Sequence, residues 1–315
     1  MSASDVQSAL VVGAGIMGHA IAQVFAQAGI EVTLVDTNTD ILSTVRQRIT
    51  SNLETLAEFG HVKADDIGAI ADRVRTTDDL GAAAKDVDFV VEAVSEVPEV
   101  KKAIFEKLEK ILPDEVIIAS NTSGIDIFTG IGLEMKKPGR FVTAHWFAPP
   151  HIVPLVEIAP GPETLPETVE GTKELMLRLC KEPVVMPQFA RSFIVNKIQN
   201  NIGLAVLDLL GTGLASPEDI DTAVKTSLGI RLPIVGVAQT MDFAGLDLTY
   251  DIIKSYGMEN EFIKDKVEKG HYGAKTSKGM FDYGGRSEEE ILKKRDRLYL
   301  KMLEFLKEID AFDPV

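Results

Sequence analysis

One cysteine, Cys180, is present in 315 residues. That excludes a disulfide framework and any zinc site built on thiolates. Cations are scarce: 33 lysines and arginines face 48 aspartates and glutamates, a net charge of −15. A nucleic-acid backbone demands clustered cations, so nucleic acid is excluded as the main partner. No apolar run reaches the ~18 residues of a membrane span. The opening MSASDVQSALVVGAG lacks the basic stretch and apolar core of a signal peptide. These absences predict a soluble, cytoplasmic protein with no membrane partner. The acidity favours solubility, and any anion site must then be built locally.

What is present is an ordinary globular composition, 45% hydrophobic, long enough for two domains at roughly 100–200 residues each. In the first part short apolar runs read as buried strands: SALVVGAG, EVTLVD, RVRTT, DFVVEAV, EVIIASN, RFVTAHWF, PLVEIAP and PVVMP. Helical spacing fills several gaps, as from Met17 to Gln27 and Pro98 to Ile111. Strands alternating with helices predict a mostly parallel, doubly wound sheet of Rossmann type, covered on both faces. From Ala190 onward only helices are expected. Ser216-Pro217-Glu218-Asp219 is a helix start. Ser287 with Glu290 is a capping box, opening a helix with apolar Ile291, Leu298, Met302, Leu306 and Ile309. The expected division is an α/β domain over 1–188 and an all-α domain over 189–315.

Gly13-Ala14-Gly15-Ile16-Met17-Gly18 follows an apolar run and opens a helical stretch. In that context Gly13 allows a tight turn, Gly15 lets a pyrophosphate approach the backbone, and Gly18 lets helix and strand pack closely. The N–H groups of Ile16, Met17 and Gly18 open the helix whose N-terminus receives the anion. Asp36 ends the next strand, where an acidic residue accepts from a ribose and repels a 2′-phosphate. The spacing predicts NAD rather than NADP, with a flavin as the competitor within the motif.

Among five histidines, His145 ends an apolar strand, where doubly wound sheets bind ligands. An imidazole there can take an alcohol proton. It needs a partner, and Glu157 on the following strand is a candidate; a buried histidine beside an unrelated glutamate fits the bare residues too. His19, His61, His151 and His271 have no companions at metal-ligand spacing, so no metal is expected. Ser120-Asn121-Thr122-Ser123-Gly124 follows another strand. It can serve a substrate carbonyl or the nicotinamide, or simply cap a turn. Asn196, among apolar residues on a helix, must hydrogen-bond either substrate or backbone.

The combined pattern resembles the L-3-hydroxyacyl-CoA dehydrogenase family. The matching pieces are VVGAGIMGHAIAQVFAQAG, VVEAVSEVPEVKKAIFEKLE, IIASNTSGIDI, RFVTAHWFAPPHIVPLVE, SFIVNKI, SPEDIDTAVKTSLG, DFAGLD and YGAKTSKGMFDY. They run from about Leu10 to Tyr283 in the family's order. The resemblance implies that Gly13, Gly15, Gly18 and Asp36 bind NAD, that Glu96, Lys101 and Lys275 contact it, and that Asn121 lies beside the nicotinamide. It implies His145 as catalytic base, Glu157 as its partner, and Ser123 and Asn196 on the reacting oxygen and substrate. It further implies a helical domain that forms a homodimer, and a site in the cleft between domains. The reaction implied is reversible hydride transfer between a short-chain 3-hydroxyacyl-CoA and its 3-keto product.

Departures from the family keep a second substrate class open. The usual His-Phe-Phe-Asn-Pro is here His145-Trp146-Phe147-Ala148-Pro149, and no lysine falls between Ile49 and Lys63, where acyl-CoA enzymes often carry lysines for the coenzyme A phosphates. HWFAPPHIVPLVE, PGPET and SLGIRLPIVG look more like relatives of the L-gulonate dehydrogenase (lambda-crystallin), carnitine and pyridine-carboxylate dehydrogenase types. In that reading Arg231 clamps a substrate carboxylate, although a surface ion pair fits the residue as well. A non-catalytic NAD-binding protein is the third alternative.

Overall fold

A computed structural model describes residues 6–313. The chain divides into two compact units, Met1–Asn201 and Ile202–Val315.

The first unit is built on eight strands: β1 (Ser8–Val12), β2 (Glu31–Val35), β3 (Val74–Thr77), β4 (Phe89–Glu92), β5 (Ile117–Ser120), β6 (Phe141–Trp146), β7 (Leu155–Pro160) and β8 (Glu182–Val185). Each matches one of the expected apolar runs. Its helices are α1 (Ile16–Gln27), α2 (Thr39–Glu58), α3 (Ile67–Asp72), α4 (Leu80–Ala83), α5 (Pro98–Ile111) and α6 (Pro166–Arg178), and it ends within α7 (Val195–Gly211). The strand order is β3-β2-β1-β4-β5-β6-β7-β8. All neighbours are parallel except β6 and β7, which run antiparallel. Chain direction across the sheet reverses between β1 and β4, which places a ligand crevice at their carboxyl ends.

Alternate residues of each central strand enter opposite cores, which is why these strands read as unbroken apolar runs. Ala9, Val11, Phe89 and Val91 pack with Phe25 of α1, Ile49 and Leu53 of α2, and Leu175 and Met176 of α6. Leu10, Val12, Val90 and Ile118 pack with Phe105 and Leu108 of α5. α1 is buried over Gly18–Ala26, as befits a helix that is apolar nearly all round.

The second unit holds α8 (Pro217–Ala223), a π turn (Val224–Leu228), α9 (Gly229–Ala244), α10 (Leu246–Ser255), α11 (Glu261–Glu268) and α12 (Glu288–Glu308). Ser216 caps α8, and Ser287 with Glu290 forms the capping box of α12. Of the expected apolar stripe on α12, only Ile291 is buried. The DFAGLD and YGAKTSKGMFDY segments meet at a buried anchor. Asp242, fully buried, accepts from the N–H groups of Met280 (2.9 Å) and Phe281 (3.0 Å) and the Tyr283 hydroxyl (3.0 Å). A side chain at Gly273 or Gly279 would strike Asp242. Burial, then the Asp242 charge, pushes the Tyr283 phenol far above its usual range. Among the described residues no helix is long and apolar enough to cross a membrane.

Phe25 is fully buried, its ring 6.1 Å from Phe89 and 6.3 Å from Trp146. Phe25→Ala is expected to cost ~3–5 kcal/mol, read as a shift in the denaturant midpoint; a loss below ~1 kcal/mol would contradict this packing.

Candidate active site

The glycine turn sits where the sheet predicts a ligand. Gly13 has φ +106°, and a Cβ there would lie 2.4 Å from the Ala93 carbonyl oxygen. A Cβ on Gly18 would lie 1.7 Å from the Gly13 carbonyl oxygen. Gly15 is different: among the described residues nothing lies within 4 Å of its Cβ position, and no side chain caps the start of α1. An open approach to uncapped helix N–H groups suits a pyrophosphate. Asp36 is held half-buried by the N–H groups of Ala14 (2.7 Å) and Asn38 (2.9 Å). Together with Gly13, Gly15, Ile16, Met17 and Asp79 it lines a cavity of about 1080 Å³. Asp78 also lines it, and Lys107 is its one basic residue. These residues fit a dinucleotide, and the three acids disfavour a 2′-phosphate.

β4 and β5 end in two turns joined by charge. Glu96 accepts through one oxygen from the Thr122 hydroxyl (2.6 Å) and the N–H groups of Ser123 (2.9 Å) and Gly124 (3.1 Å). Its other oxygen lies 3.2 Å from the Lys101 ammonium, which is itself buried. Burial works against the ionised form of Glu96, but the Thr122 hydroxyl, the Lys101 charge and the Gly124 N–H outweigh it and hold the carboxyl below its usual range. Asn121 accepts from the Trp146 N–H at 2.9 Å through its side-chain oxygen, which aims its NH₂ away from β6. Ser123 is exposed and its hydroxyl makes no hydrogen bond among the described residues.

His145 and Glu157 are register partners across the antiparallel β6–β7 pair, and both are buried. The ring Nδ1 lies 3.0 Å from Glu157 Oε2. Glu157 Oε1 accepts from the N–H groups of Ile194 and Val195, each at 3.0 Å, so the same carboxylate caps α7. The imidazole is gripped by Phe193, stacked at 4.8 Å, and by the edge of Phe147 at 4.6 Å. With Nδ1–H given to the carboxylate, Nε2 is left as an acceptor. Asn196, half-buried, is the second residue of the helix that Glu157 caps.

Two residues missed by sequence reasoning belong here. Glu92 is a buried carboxylate inside an apolar strand, and its acidic type in DFVVEAV was the available signal. Phe193 packs on the imidazole from a left-handed backbone, φ 48°, preceded by Ser192 at φ 70°; nothing in the residue types announces that conformation. Lys275 and Arg231 lie in the second unit. Lys275 pairs with Asp247 at 2.9 Å. Arg231 follows the π turn and donates from Nε and Nη2 to the carbonyl and hydroxyl of Ser227 (3.3 and 3.0 Å). Among the described residues no group of three His, Cys, Asp or Glu side chains could hold a metal.

His19 and His151 are set apart by burial, which pushes both below the ordinary 6.5. An unfolded chain then binds these protons first as pH falls past 6.5. Their contribution to stability is complete above that value and is lost below it. The urea midpoint is therefore expected to fall between about pH 7.5 and about 5.5, less so in a His19→Asn/His151→Asn variant; identical slopes would refute the assignment. For the turn, Gly15→Ala is expected to leave the melting temperature nearly unchanged but weaken NAD binding at least ~tenfold, whereas Gly18→Ala destabilises the fold itself. Thermal melts and NAD titration separate the two, and full NAD affinity in Gly15→Ala would place the pyrophosphate elsewhere.

The 3-hydroxyacyl-CoA dehydrogenase NAD-binding domain profile matches residues 8–189, and the C-terminal domain profile of the same family matches 193–283. Human mitochondrial hydroxyacyl-coenzyme A dehydrogenase is 33% identical over 292 residues, covering 88% of this chain and 91% of the human protein. A 5-formyl-3-hydroxy-2-methylpyridine 4-carboxylate 5-dehydrogenase from Mesorhizobium japonicum is 29% identical over 300 residues, covering 93% of this chain and 96% of that one. The crystal structure of a 3-hydroxyacyl-CoA dehydrogenase from Archaeoglobus fulgidus matches with a TM-score of 0.79 and 28% identity, covering 96% of this chain and 99% of that one. A glycine turn built for a dinucleotide after β1, a buried His–Glu pair on β6 and β7 of the same sheet and both domain profiles in order lead to one conclusion: the chain belongs to the 3-hydroxyacyl-CoA dehydrogenase family of NAD-dependent oxidoreductases.

Proposed function

We propose that the protein interconverts a secondary alcohol and its ketone, with a short-chain 3-hydroxyacyl-CoA as substrate. The observation that carries the chemistry is the 3.0 Å contact between His145 Nδ1 and Glu157. NAD, when bound, supplies the hydride acceptor. His145 takes the alcohol proton at Nε2. Glu157 fixes the tautomer and stabilises the imidazolium that forms. The Ser123 hydroxyl and the Asn196 amide hold the reacting oxygen. Asn121, oriented from β6, serves the nicotinamide side. Gly13, Gly15, Ile16, Met17, Gly18 and Asp36 hold the cofactor, with Glu96 and Lys101 completing its site.

Residues 1–188 act as the cofactor half and 189–315 as the substrate and dimer half, working in the cytoplasm. Support for a homodimer comes from α7, which has no buried residue although Leu204 and Leu207 are 65% and 66% exposed. Apolar surface of that extent favours association.

A second substrate reading rests on Arg231. Arg231 is half-buried as a residue, its guanidinium contacts to Ser227 are exposed, and Nη1 makes no hydrogen bond among the described residues. In this reading the substrate is a small free hydroxy acid whose carboxylate Arg231 clamps.

His145→Gln is expected to lower kcat by ~10²–10⁴-fold while NAD affinity holds; wild-type turnover in that variant would remove the mechanism. Acetoacetyl-CoA with NADH tests the first substrate class directly, by the fall in NADH absorbance. Turnover of free hydroxy acids alone, abolished by Arg231→Ala, would transfer the assignment to the second.

A further inference from the structure

Glu92 ends β4 and is fully buried. No step of the chemistry above uses it, yet its oxygens serve both turns that flank the site. Oε1 accepts from the Val94 N–H at 2.9 Å and the Lys101 ammonium at 2.7 Å. Oε2 accepts from the Ser120 hydroxyl at 2.5 Å. The main-chain carbonyl accepts from the Asn121 N–H at 2.8 Å. Lys101, 1% exposed, reaches on to Glu96 at 3.2 Å. Glu96 in turn gathers Thr122, Ser123 and Gly124.

Two carboxylates thus share one ammonium beneath the carboxyl edge of the sheet. As a stability device this is poor, because desolvating Glu92 and Lys101 offsets most of the attraction, while Glu96 stays partly in solvent. A valine or threonine at this place would continue the strand at no such cost. What the network supplies is position, since charge-assisted hydrogen bonds are short and directional.

We propose that Glu92 is a positioning residue of the reaction. Through Lys101 and Glu96 it sets the turn that carries Asn121 and Ser123 against the turn at Ala93–Ser95 that walls the nucleotide cavity. The inference rests on the dehydrogenase reading, but its first test needs no turnover. Amide hydrogen exchange is measured on Glu92→Gln without substrate. Ser123 and Gly124 touch Glu96, not Glu92, so exchange at least ~tenfold faster there reports the coupling. Acceleration confined to Val94 overturns it.

Kinetics supply the second arm. At saturating NAD, Glu92→Gln is expected to lower kcat at least ~tenfold, and Glu92→Asp to recover part of the loss. A loss that merely tracks the folded fraction overturns the proposal. Should Glu92→Gln fail to fold because Lys101 has lost its partner, the Glu92→Gln/Lys101→Met variant removes both charges and is read by the same exchange at Ser123 and Gly124. A wild-type protein that turns over no alcohol defeats the dehydrogenase reading and leaves the exchange result standing.

Discussion

One carboxylate, Glu157, divides its two oxygens between the imidazole of His145 and the first N–H groups of α7, and much of the fold exists to allow that. β7 runs antiparallel to β6, so a residue of one strand stands directly opposite a residue of the other. The chain then enters α7 through Ser192 and Phe193 in left-handed backbone, a conformation that costs of order 1–3 kcal/mol per non-glycine residue. That strain brings the Phe193 ring onto the imidazole and the helix start onto the carboxylate. Remove the carboxylate and a buried ring loses its orientation while a helix loses its cap.

The acidity of the chain, −15 overall, poses no obstacle to binding an anionic cofactor, because the protein holds anions with backbone. Glu96 is held by main-chain N–H groups of the turn after β5, Glu157 by those of α7, and Asp36 by Ala14 and Asn38. The glycine turn offers the same device to a pyrophosphate. Main-chain donors are fixed by the fold, so they discriminate by geometry, while the acids around the cavity turn away additional phosphate.

Much of this was legible in the residues. Central strands covered on both faces must be apolar on both, so β1, β4, β5 and β6 appear as runs, while the edge strands β3 and β8 lie within expected segments although they are largely exposed. Gly13, Gly15 and Gly18 were each readable from a different steric demand, and the structure shows three different surroundings. The capping residues Ser216 and Ser287 announced their helices because an unsatisfied N–H group needs a nearby oxygen. What stayed hidden depends on non-local geometry. Nothing in the spacing tells that Lys101 points inward to two carboxylates, that Ser192 and Phe193 adopt positive φ, or that α9 breaks at Gly236, φ 65° and ψ 179°. The apolar stripe of α12 marked a helix but not its burial, since a repeat of 3.6 residues says which face is apolar and not what covers it.

The central claim is that a carboxylate-held imidazole governs proton removal during hydride transfer. The most direct measurement is single-turnover NADH formation, followed at 340 nm, in Glu157→Gln with saturating NAD and alcohol. Glutamine keeps the shape of the side chain and loses its charge. The account requires hydride transfer slowed by at least ~10²-fold with NAD affinity unaltered. NADH formed at the wild-type rate would contradict it.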